Sequence, residues 1–71
     1  MNIQNGMIVV HNIESHGEQS PVWIVTIVDG EAWYYGGYSS QEKAERILKH
    51  LLKESPHIAR IIVANPNMQD A

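Results

Sequence analysis

The 71-residue chain contains no cysteine and no phenylalanine. Without cysteine there is neither a disulfide framework nor a thiolate metal site, so a core already limited by chain length is held by packing alone. Basic residues are scarce as well: five Lys and Arg stand against eight Asp and Glu, for a formal net charge of −3. A chain whose overall field repels phosphate binds nucleic acid only through a local concentration of cations. No apolar run approaches the roughly 20 residues of a membrane-spanning helix. The opening "MNIQNGMIVV" has no basic region and no small-residue cleavage site, so the expectation is a cytoplasmic protein with no membrane association. There is no internal repeat and no low-complexity tract.

What is present divides cleanly at Gly, Pro, Asn and Asp. After Asn5-Gly6, the β-branched "MIVVHNI" (7–13) predicts a first strand, and a polar loop with Gly17 and Pro21 follows over 14–21. "VWIVTIV" (22–28) predicts a second strand. Asp29-Gly30 is the dipeptide of a two-residue hairpin, leading into a third strand, "EAWYYGGY" (31–38). Ala44, Ile47, Leu48, Leu51 and Leu52 then form one apolar stripe at helical spacing. Ser39 with Glu42 fits a capping box, and Pro56 closes the helix. "HIARIIVA" (57–64) predicts a fourth strand. Residues 1–65 thus read as a single domain and 66–71 as a disordered tail.

The order β-β-β-α-β predicts a small α+β domain, a mainly antiparallel sheet with one helix packed on one face. With three consecutive antiparallel strands, the crossover puts the last strand beside the first, in the order 3-2-1-4, or beside the third; the sequence does not decide, and the first arrangement is the favoured expectation. The hairpin turn pairs Val28 with Glu31, Thr26 with Trp33, Ile24 with Tyr35 and Val22 with Gly37. Trp23, Val25, Ile27, Ala32 and Tyr34 share the other face, the expected seat of the helix. The first face would then lie open with Val22, Ile24, Val28, Trp33 and Tyr35, joined by Ile58 and Ile62. An apolar surface of that kind is covered by loops or by a partner. Val22, Ile24, Trp33 and Tyr35 are the expected partner-binding residues, toward a second copy of the chain or another protein.

Catalytic signals are weak. His11, Glu14, His16 and Glu18 are the only cluster of metal-ligand types, and their spacing matches no compact site, so no metal is expected. Ser39 and Ser40 read as helix caps rather than nucleophiles. The acids do not converge as an acid/base pair, and the glycines spell no phosphate loop or dinucleotide fingerprint. No catalytic residue and no cofactor are therefore expected.

The feature favouring nucleic acid is on the helix, where Lys43, Arg46, Lys49, His50 and Lys53 lie within an arc of roughly 120°. Glu42-Arg46 and Glu45-Lys49 at i,i+4 partly cancel that charge. A nucleic-acid accessory protein using Lys43, Arg46, Lys49, Lys53 and exposed aromatics is the alternative to a non-enzymatic interaction module, an inhibitor or adaptor. The succession Trp23-Ile24-Val25, hairpin, "SSQEKAE" and closing strand resembles small bacterial and phage β-β-α-β domains. The resemblance implies an accessory protein and carries no functional residues.

Overall fold

The structure, a computed structural model, describes residues 9–14, 17 and 19–66. Its elements are β1 (Val10–His11), β2 (Val22–Val28), β3 (Glu31–Tyr38), α1 (Gln41–Glu54) and β4 (Ala59–Ala64). The order is β-β-β-α-β, a compact α+β fold. Residues 7 and 8 of the expected first strand, and the tail from 67 to 71, lie outside the described residues.

The four strands form one sheet in the order β1-β3-β2-β4, not 3-2-1-4. β4 runs antiparallel to β2, and β1 runs parallel to β3 on the far side. The reason lies in β2, seven residues without a charge in which Trp23, Ile24 and Val25 are all fully buried. A strand apolar on both faces is most stable in the middle of a sheet, with a neighbour on each side.

Asp29 (φ 53°) and Gly30 (φ 79°) both adopt left-handed angles, the geometry that a tight hairpin requires and that Asp-Gly supplies. The pairs Val28–Glu31 and Thr26–Trp33 form as expected. Beyond Tyr34 the register slips by one, so that Ile24 pairs with Gly36 and Val22 with Tyr38, leaving Tyr35 as the extra residue of a bulge.

The two faces are covered differently, and in the opposite sense to the expectation. Trp23, Val25 and Ala32 form a core with Val10, Ile13, Ile27, Tyr34 and Val63, to which the helix contributes nothing. The segment after β1 closes this face: the Trp23 indole Nε1–H donates to the Gly17 carbonyl at 2.7 Å, and Trp23 meets Tyr34 edge-on at 5.5 Å. The helix packs against β4, β2 and β3. It lies across the other face, where Ile24 is buried and Ala44 is its own buried residue. An indole N–H removed from water needs an acceptor, which irregular chain offers and a helix, with its carbonyls internally bonded, does not.

Ser40, rather than Ser39, caps the helix, its Oγ accepting from the Lys43 N–H at 3.1 Å. At the other end the Ser55 N–H bonds the Leu51 carbonyl. After β4 the buried Asn65 ties the chain back, its N–H on the Pro21 carbonyl at 2.9 Å and its Nδ2 on the Ser20 carbonyl at 2.7 Å.

Candidate interaction surface

Trp33 sits between two neighbours on one face, Thr26 of β2 and His11 of β1. The parallel pairing stacks the His11 ring on the Trp33 indole with centroids 4.8 Å apart, tilted by 37°. Glu31 stands beside the imidazole, Oε1 to Nε2 3.7 Å, with both side chains well exposed. Tyr35, two residues along, projects on the same side as Trp33. From β4, Arg60 reaches across β2: its Nε–H donates to Thr26 Oγ1 at 3.2 Å, and its guanidinium carbon lies 5.1 Å from the centre of the Tyr35 ring. Cation–π and ring-stacking contacts of this kind hold side chains in fixed orientations while leaving outer surfaces free.

The result is a strip of His11, Trp33, Tyr35 and Arg60 on the part of the helix-bearing face that the helix leaves open. Trp33 is 39%, Tyr35 46% and Val28 49% exposed. Of the four residues expected to meet a partner, Trp33 and Tyr35 are accessible. Ile24 is not, being fully buried, and it is withdrawn from the contact surface because the helix occupies its face. Val22 is half-buried between Tyr38 and Ala64. His11 and Arg60 were not expected in the strip, since their positions depend on the β1–β3 and β2–β4 pairings.

Lys43, Arg46, Lys49 and Lys53 are exposed on the helix, and Arg46, Lys49, His50 and Lys53 line a shallow open groove along it. Glu42 approaches Arg46 to 3.9 Å, while Glu45 accepts from Gln41 Nε2 at 3.2 Å. The fifth basic residue is Arg60, held over Tyr35.

Two phenols are perturbed. Burial pushes Tyr34 above its ordinary value, helped by the Glu14 carboxylate and opposed by a backbone bond at Gly37. Tyr38 is raised by burial, then by Tyr35 and Tyr34 nearby. Among the described residues no three His, Cys, Asp or Glu side chains gather as a metal site; His16 and Glu18 of the candidate cluster lie outside them. No helix among the described residues is long and apolar enough to cross a membrane.

No protein-family model matches the chain, and neither a curated protein nor a solved structure is similar to it.

Proposed function

We propose that the chain is a small non-enzymatic protein-interaction module, an inhibitor or adaptor, that grips another protein through the strip of His11, Trp33, Tyr35 and Arg60. The observation that carries this reading is the pair of accessible rings, Trp33 and Tyr35, each braced by a neighbour on a sheet rather than on a loop. Tryptophan, tyrosine and arginine supply most of the energy at interface centres. Rings oriented beforehand lose less entropy on binding. With Ile24 covered, the strip is smaller and more polar than the face expected for self-pairing, which favours a different protein as partner.

The test is affinity capture from the source cell with wild type beside a Trp33→Ala, Tyr35→Ala variant. A protein retained by wild type, lost by the variant and rebound by purified wild-type chain supports the reading. Identical capture by both chains rejects it.

The cation-lined groove of Arg46, Lys49, His50 and Lys53 favours a second reading, phosphate contact by the helix. Affinity for any single-stranded oligonucleotide would then fall steeply with added salt and weaken with Lys49→Ala, Lys53→Ala. No binding at low salt removes that reading.

A further inference from the structure

β4 ends the sheet, and no described residue pairs with its outer edge. Its six residues therefore carry a row of backbone N–H and C=O groups that face away from the sheet. Soluble proteins ordinarily blunt such an edge with proline, a bulge, an outward charge or brevity. β4 has no proline or glycine, and it pairs with β2 from Ala59 to Ala64 without a register shift. Its one charged side chain, Arg60, leans inward to Thr26 and Tyr35, away from the edge. Ile61, beside Val25 on the Trp23 face, is 44% exposed.

We propose that β4 is a self-association edge, along which two copies of the chain pair antiparallel about a two-fold axis and merge their four-stranded sheets into one. Asn65, the residue after β4, bonds inward to Ser20 and Pro21 at the start of β2 rather than along this edge. β1 lies at the opposite side of the sheet, with β3 and β2 between.

A second copy fits by symmetry. A two-fold axis normal to the sheet keeps both faces continuous when it passes through Ile61. Ile61 then meets its own copy, Arg60 meets Ile62, and Ala59 meets Val63. No like charges are opposed, and the exposed isoleucine is covered by an apolar mate. Trp33 and Tyr35, on β3, lie away from the joined edge with β2 between, while Arg60 belongs to both surfaces.

The chain has no cysteine, which makes Ile61→Cys a unique thiol at the axis. Mild oxidation should link it into a dimer of twice the 8.0 kDa chain mass, whereas Trp33→Cys should stay a monomer. An edge interface is small and weak, so wild-type sedimentation should span from about 10 µM to about 1 mM. The mass should double over that range. Ile61→Lys should hold it at the monomer with an unchanged helix signal, and Trp33→Glu should leave the dimer intact. Amide exchange in wild type should slow about fourfold at the β4 amides that face away from β2 as concentration rises over that range, a readout that needs no variant. A wild-type monomer at the highest concentration, exchange in β4 that ignores concentration, or a dimer lost with Trp33→Glu and kept with Ile61→Lys would each overturn the proposal.

Discussion

Trp23 and Gly17 are joined by an indole-to-carbonyl hydrogen bond of 2.7 Å that closes the helix-free face of the sheet. This contact fixes which of the two tryptophans is core. Trp23 is fully buried, and Trp33, on the other face, is left accessible.

Trp23→Phe keeps an aromatic ring and removes the donor, leaving the Gly17 carbonyl with the Ser20 N–H as its remaining partner. The expected loss is about 0.5–1.5 kcal/mol for the lost hydrogen bond, with a further packing loss from the smaller ring. Urea denaturation followed by circular dichroism measures it, and an unchanged midpoint would show that the bond is not made.

Gly17→Ala should destabilise by about 1–3 kcal/mol, as overpacking does, because a Cβ there would overlap the Tyr34 phenol. Trimming the obstacle with Tyr34→Ala should make the second change cheaper than the sum of the two alone. Additive losses in a double-mutant cycle would contradict the close approach.

Local signals were readable where one residue type meets one geometric demand. Asp29-Gly30 announces its hairpin because both residues take positive φ, and the leucine stripe announces the helix. The choice of face was hidden, since β2 is apolar on both sides and alternation alone cannot say which side receives the helix. It is decided by non-local chemistry, the need of the Trp23 N–H for an acceptor. The bulge was likewise concealed: Gly36-Gly37 permits a slip, but only the pairing of Ile24 with Gly36 locates the extra residue at Tyr35. The strip was half legible, Trp33 and Tyr35 from the hairpin, His11 and Arg60 only from strand order.

On the helix, Leu48→Ala should cost about 2 kcal/mol, the low end for leucine truncation, because Leu48 is half-buried. Ala44→Leu should cost about 1–3 kcal/mol by overpacking, Ala44 being fully buried. Lys49→Ala, exposed, should stay within about 0.5 kcal/mol. Equal losses at 48 and 49 would place the stripe away from the sheet.

Alkali should lower the protein's stability. Tyr34 and Tyr38 are held above the ordinary phenol value of 10.0, mainly by burial. A group raised in the folded state stabilises fully below its unfolded value, and that contribution is lost as pH rises through the folded one. The melting temperature should therefore be insensitive to these phenols below pH 10.0 and fall above it, less steeply in Tyr34→Phe. An unchanged slope in that variant would show that Tyr34 ionises freely.

The chain has two tryptophans, one on each face of the sheet, and their indole N–H resonances test the proposed recognition surface directly. When ¹⁵N-labelled chain is titrated with the captured partner, the Trp33 indole signal should shift or broaden with the Arg60 Nε signal, while the Trp23 indole stays in place. Perturbation confined to residues 43–53 of the helix, with Trp33 unmoved, would contradict the assignment of the aromatic strip as the surface that binds.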